Sequence, residues 1–229
     1  MGSATDLIDE TIREGRTVLS EHESKRLLAS YGIPVTREIL VDDAQGVARA
    51  AAEIGYPVVL KGCSSEIAHK TEKGLVRLDV RSDEEARSAF QEIVASMSGI
   101  RRPVVLVQEM IRSPRELLAG LIRDPDFGPC VTFGLGGIFT EVLHDVAFRV
   151  APLGEKDALE MMREIRGKKI LESVRGLEPV DLNGLAGILV TLGRIGIELP
   201  RIAEIDINPI LVVRGTPIAA DALVVLSPK

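Results

Sequence analysis

The sequence predicts an α+β fold built as two lobes. Three observations point there. Strand-like and helix-like segments mix along the chain, and many strands follow one another through short turns, which disfavours a plain doubly wound sheet. The chain has 229 residues, enough for one large domain or two small lobes. Residues 99–103 hold the glycine and proline that best mark a boundary between lobes. Hydrophobic residues make up 45% but aromatics only 3%, with no Trp, so the core has to be aliphatic.

The elements follow in order. Residues 7–17 have a weak helical pattern. Ser20-Glu21-His22-Glu23 is a capping box, with Ser at the cap and Glu three positions on, and opens a helix through Ser30. Gly32 and Pro34 end that helix. A strand is expected over 35–41. Asp42 then caps a helix over 44–54, which Gly55-Tyr56-Pro57 stops. Val58-Val59-Leu60-Lys61 is a short buried strand, 64–74 a polar loop and 75–80 an alternating strand. Ser82-Asp83-Glu84-Glu85 is a second capping box and starts a helix to Met97. Further strands are expected over 104–109, 117–123 and 130–135, and helices over 156–166 and 182–196. Two strands, 203–207 and 210–213, are expected to form a hairpin around Asn208-Pro209, and 218–225 closes the chain.

Bulk chemistry excludes several functions. The formal charge is -6 and the pI near 5.3, a poor field for holding nucleic acid. Cys63 and Cys130 supply neither a disulfide framework nor a metal cluster, so reduced thiols in a cytoplasmic protein are expected. The polar, acidic start is not the pattern of a signal peptide, and no apolar run approaches the ~20 residues of a membrane span.

Five stretches carry polar chemistry. Lys61 follows three apolar strand residues, and a buried cation needs an anion such as phosphate. The plainer alternative is a strand-end lysine whose tip reaches water. The loop 64–74 offers hydroxyls, two lysines, a glycine and His69, whose imidazole can accept a phosphoryl group; an idle hairpin tip is the alternative. Gln108-Glu109-Met110-Ile111 ends a strand as adenine-binding segments do, and Glu116 is placed to hold a ribose. Gly134-Leu135-Gly136-Gly137 lets backbone approach a ligand but has neither dinucleotide nor P-loop spacing. Glu204, Asp206 and Asn208 alternate onto one strand face, with Asp221 on the next strand. That is an oxygen-rich set for a hard cation, or else a polar edge. His22 and His144 are given no role.

The order of these features resembles the ATP-grasp plan. Tyr56-Pro57-Val58-Val59-Leu60-Lys61, Ile67-Ala68-His69-Lys70-Thr71-Glu72, Val107-Gln108-Glu109-Met110, Gly136-Gly137-Ile138-Phe139-Thr140-Glu141 and Glu204-Ile205-Asp206-Ile207-Asn208-Pro209 resemble the beta subunit of ADP-forming acetyl-CoA synthetases. That is the nucleoside-diphosphate-forming acyl-CoA synthetase family, related to succinyl-CoA synthetase. The resemblance implies an ATP-grasp fold, with an N-terminal helical segment (1–25) packing on the C-terminal lobe, a first subdomain (26–103) and a second (104–229). It implies a reversible reaction of acyl-CoA, ADP and phosphate to carboxylate, CoA and ATP through a phosphohistidine relay. His69 matches the beta-subunit histidine and Asp206 the acid that orients it. Lys61 matches the phosphate lysine, Glu109 and Ile111 the adenine hinge, and Glu116 the ribose acid. Gly74 closes the phosphate loop, and Asn208 and Asp221 match the Mg2+ ligands. Lys73-Gly74 stands where the family commonly has two adjacent glycines.

The chain has no room for a CoA-binding domain, so a separate alpha subunit, as alpha2beta2, or fused equivalent domains are implied. A free-standing carboxylate-amine ligase would explain Lys61, Glu109 and Asn208 but not His69. A nucleotide-sensing module of a fused synthetase or acyltransferase is the third reading. The acyl group, and ADP against GDP, are not written in these residues.

Overall fold

The structure is a computed structural model describing residues 3–64, 74–100, 102–137, 145–173 and 176–227. It divides into two compact units. The smaller comprises Ser20–His22 and Thr36–Ile111; the larger comprises Met1–Leu19, Glu23–Val35 and Arg112–Lys229.

The smaller unit is a four-stranded antiparallel sheet in the order β1 (Glu38–Val41), β4 (Val104–Glu109), β2 (Val58–Cys63), β3 (Val76–Val80). Helices α3 (Ala44–Ile54) and α4 (Asp83–Ser96) cover it. Both form for local reasons. In α3 the buried residues Val47, Ala50, Ala51 and Ile54 recur at helical spacing. Its cap is Asp43, one residue later than the sequence suggested, whose side chain accepts from the Gln45 and Gly46 N–H groups. In α4 the Ser82 hydroxyl accepts from Glu85 N–H, and Ala86, Ala89, Phe90 and Ile93 turn inward. These side chains meet Val58, Leu60, Val105 and Val107. The sequence reading put 104–109 at the head of the second lobe. Here β4 lies between β1 and β2, and the chain leaves this unit only after Ile111. The apolar run that looked like a new beginning is buried because it is central.

The larger unit is an antiparallel sheet in the order β10 (Leu223–Leu226), β8 (Ile202–Val213), β5 (Glu116–Asp124), β6 (Gly128–Leu135), β7 (Val146–Val150), with β9 (Thr216–Ala219) pairing β8. Against one face lie α5 (Glu155–Glu164) and α6 (Leu182–Glu198). The core joins Leu185, Leu189, Leu192 and Ile195 of α6 to Leu121, Val131, Phe133, Ile205 and Ile207 of the sheet. Ile8 of α1 (Ala4–Arg13) and Leu27 and Leu28 of α2 (Glu21–Ser30) belong to the same core. Removing one such buried leucine side chain costs about 2–5 kcal/mol.

One expected hairpin is absent. Asn208-Pro209 lies inside the single strand β8, where two residues stand opposite Leu118 alone, since Ile207 pairs with Ala119 and Ile210 with Leu117. Proline has no N–H to give a ladder, and a bulge absorbs that gap without ending the strand. The turn falls later, at Arg214-Gly215 between Val213 and Thr216. Both turn residues have positive φ (46° and 83°), as a tight two-residue hairpin requires. Among the described residues no helix is long and apolar enough to cross a membrane.

Candidate functional site

Lys61 lies on β2, every residue of which is buried. Its cross-strand partners are Leu106 and Val76, both apolar. One anion comes from Glu21, the first residue of α2. Lys61 Nζ donates to Glu21 Oε1 at 2.6 Å, with the two side chains 9% and 1% exposed. Next to it His22 Nδ1 lies 2.8 Å from Glu38 Oε1 of β1. The sequence reading saw Glu21 only as a member of a capping box. No local pattern announces a partner forty positions away.

Glu109 ends β4, but its carboxylate is engaged. It accepts from Arg37 N–H at 2.7 Å and from Arg37 Nε at 3.2 Å. Its own N–H donates to Arg37 O, and Met110 N–H reaches Pro57 O. Both the Glu109 carboxylate and its backbone N–H are thus bonded to Arg37 within the smaller unit. Gly74 has φ +66°, a turn that a side chain would strain. His69 and the rest of 65–73 lie outside the described residues.

The larger unit gathers the other candidates. Register places Leu223, Asp206, Gly120, Thr132 and Phe148 in one row across five strands. Gly120 was missed in the sequence, yet a methyl there would come within 2.7 Å of Ile205 O and 2.8 Å of Thr132 Oγ1. Asp206 is half-buried beside that glycine. Burial first, then the charges of Glu204 and Asp221, pushes its carboxyl up to about 6. Asp221 is carried there by the segment after β9, whose Ala219 pairs with Ile210 and whose Ala220 N–H donates to Pro209 O at 3.0 Å.

Asn208 stands at the bulge, and its Oδ1 is 3.5 Å from Gly137 N–H. Gly137 has φ +61° and lies against the Glu116 carboxylate, where a Cβ would collide with Oε2. Gly136 N–H donates to Glu116 O at 2.8 Å. The glycine run is thus read physically: β6 needs bare backbone to pass Glu116. Glu116, Gly137 and Asn208 converge, while residues 138–144 lie outside the described residues.

The donor chemistry here fits Mg2+. Among the described residues no three His, Cys, Asp or Glu side chains form a cage of their own. Magnesium needs only one or two carboxylates when a nucleotide brings phosphates. Asn208 and Asp221 offer two hard oxygens, and the excess negative charge felt by Asp206 is what a cation would relieve.

The family model described as an ATP-grasp domain matches residues 10–226. Acetate–CoA ligase [ADP-forming] I subunit beta of Pyrococcus furiosus is 43% identical over 230 residues, covering 99% of each chain. A dinucleotide forming acetyl-coenzyme A synthetase 1 from Ca. Korarchaeum cryptofilum, solved with coenzyme A, Ca-AMPCP and HgCl+, superposes with a TM-score of 0.93 at 42% identity, over 98% of this chain and 100% of that one. A second structure of that enzyme holds coenzyme A and Mg-AMPPCP with its phosphohistidine segment pointing towards the nucleotide binding site; it matches at 0.87 and 43%, with the same coverage. This chain belongs to the ATP-grasp family, in its branch of beta subunits of ADP-forming acyl-CoA synthetases.

Proposed function

We propose that this chain is the nucleotide-binding subunit of an ADP-forming acyl-CoA synthetase, an acid-thiol ligase. With a CoA-binding alpha subunit it converts acyl-CoA, ADP and phosphate reversibly to carboxylate, CoA and ATP. The carrying observation is the acid group at β8, where Asp206 is held beside Glu204 and Asp221 at a raised pKa. Such a group invites cations: a metal on one side and a protonated imidazole on the other.

Each residue has a role in that reading. Lys61 holds a phosphate of the nucleotide. The backbone at Glu109 and Ile111 reads adenine, Glu116 takes the ribose, and Gly74 lets the loop close. Asn208 and Asp221 would hold Mg2+, which neutralises phosphate charge when bound. His69 receives the phosphoryl group brought by a histidine of the partner, and Asp206 orients the phosphorylated ring. Phosphoryl transfer depends on positioning and charge neutralisation more than on covalent help from the protein, and this set supplies both.

The partner reading is an alpha2beta2 assembly in the cytoplasm. The test is ATP formation by chain plus alpha subunit with ADP, phosphate, Mg2+ and a panel of short acyl-CoAs. ATP with at least one acyl-CoA is expected. No ATP with any would overturn the function. Full activity of His69→Ala would overturn the relay role alone.

A further inference from the structure

We infer that Glu21 is the positioning residue for Lys61, fixing its ammonium for the phosphates of the nucleotide. The inference rests on the reading of Lys61 as a phosphate ligand. Three observations carry it. The contact is short, 2.6 Å between Nζ and Oε1, and both side chains are buried, so water does not screen it. The residues paired with Lys61 across the ladder, Leu106 and Val76, are apolar, and the Glu21 carboxylate reaches its tip from α2. And Glu21 is itself anchored: it opens α2, and the adjoining His22 ring lies 2.8 Å from the Glu38 carboxylate on β1. Ser20–His22 accordingly group with the smaller unit, whereas the rest of α2 groups with the larger.

The physical reason for such a device is the lysine stem. A free lysine samples many rotamers and loses that freedom when phosphate binds. A carboxylate that holds Nζ in place before the ligand arrives removes part of that loss. The ammonium has three N–H groups, so one can stay on Glu21 while others turn to phosphate oxygens. The glutamate does not touch the nucleotide in this scheme. It acts through Lys61.

The experiment is a two-by-two set: wild type, Glu21→Gln, Lys61→Met and the double variant, each assembled with the alpha subunit. MgADP affinity is measured by calorimetry, KM for ADP and for acyl-CoA by ATP formation, and nucleotide-free melting temperature checks the fold. Glu21→Gln keeps an acceptor and removes the charge. It should weaken MgADP about ten-fold, the scale of one charge-assisted hydrogen bond, and leave KM for acyl-CoA unchanged. A merely structural role would move both KM values together. The double variant should bind MgADP no more weakly than Lys61→Met, because Glu21 has nothing left to position. Affinity of Glu21→Gln within two-fold of wild type would overturn the inference, and this arm stands alone if Lys61→Met fails to fold. Additive losses in the double variant would overturn it too, by giving Glu21 an independent role. Wild-type affinity in Lys61→Met would instead remove the phosphate role of Lys61, and the positioning role with it.

Discussion

Glu21 and Asp206 are carboxylates withdrawn from water, one in each unit, and their surroundings are opposite. Glu21 meets a cation, Lys61, at 2.6 Å. Asp206 meets like charge, from Glu204 and Asp221, and its pKa rises to about 6. The first is an ion pair completed within the fold. The second is a cluster of like charges, whose mutual repulsion a bound cation would relieve. Sites that bind charged ligands carry such locally unfavourable electrostatics, and the rest of the core supplies the stability to hold them.

The largest effect should come from breaking the completed pair. Lys61→Met leaves the buried Glu21 carboxylate without this cation, which costs about 3–5 kcal/mol. Adding Glu21→Gln removes that buried charge as well and should bring stability back to within about 1 kcal/mol of wild type. Urea midpoints of the three proteins check this. Equal stability of single and double variants would mean that Glu21 and Lys61 do not depend on one another.

The opposite sign is expected on β8. Asp206→Asn removes a charge that the fold disfavours, so the metal-free chain should gain stability at pH 7 while ATP formation falls about a hundred-fold or more. The sign follows from linkage. The folded pKa, about 6, lies above the ordinary value of 3.8. The penalty is therefore fully present above pH 6 and is relieved as pH falls from 6 towards 3.8. Each pKa unit corresponds to ~1.4 kcal/mol, so the gain is at most about 3 kcal/mol, and about 1–2 once partial exposure is allowed for. Thermal melts of both proteins at pH 7.5 and 4.5, without nucleotide or divalent cation, should show the difference shrink at the lower pH. A variant less stable than wild type at pH 7.5 would collapse the contrast.

How much of this was legible follows the same division. β8 could be read because its chemistry is local: alternation put Glu204 and Asp206 on one face, and Asp221 lay fifteen residues further on. The helices were legible from caps and spacing, and the α+β fold class from short strand connections. What escaped depends on distant partners. Proline signalled a turn at Asn208-Pro209, but the neighbouring strand turned it into a bulge. Glu21 and Gly120 carry no signature of their own, since one acts through a strand forty residues on and the other through the absence of a Cβ beside Ile205 and Thr132. The Glu109 carboxylate is bonded to Arg37, a partner seventy-two positions away that no local pattern announces.

Smaller effects should come from two glycines, and they sharpen the account of Asp206. Gly120 is the cross-strand neighbour of Asp206, and an alanine methyl there meets backbone oxygen at 2.7 Å on a central strand. Gly120→Ala should destabilise by about 1–3 kcal/mol, as overpacked core positions do. It should also weaken MgADP binding, because β5 and β8 must separate at Asp206 to admit the methyl. Gly187 is the control: it lies on the exposed side of α6, and a Cβ there would meet nothing within 4 Å. Gly187→Ala should stabilise by about 0.5–1 kcal/mol through helix propensity and leave nucleotide binding alone. If both alanines shifted the urea midpoint equally and neither touched MgADP affinity, the close β5–β8 packing at Gly120 would have no bearing on Asp206.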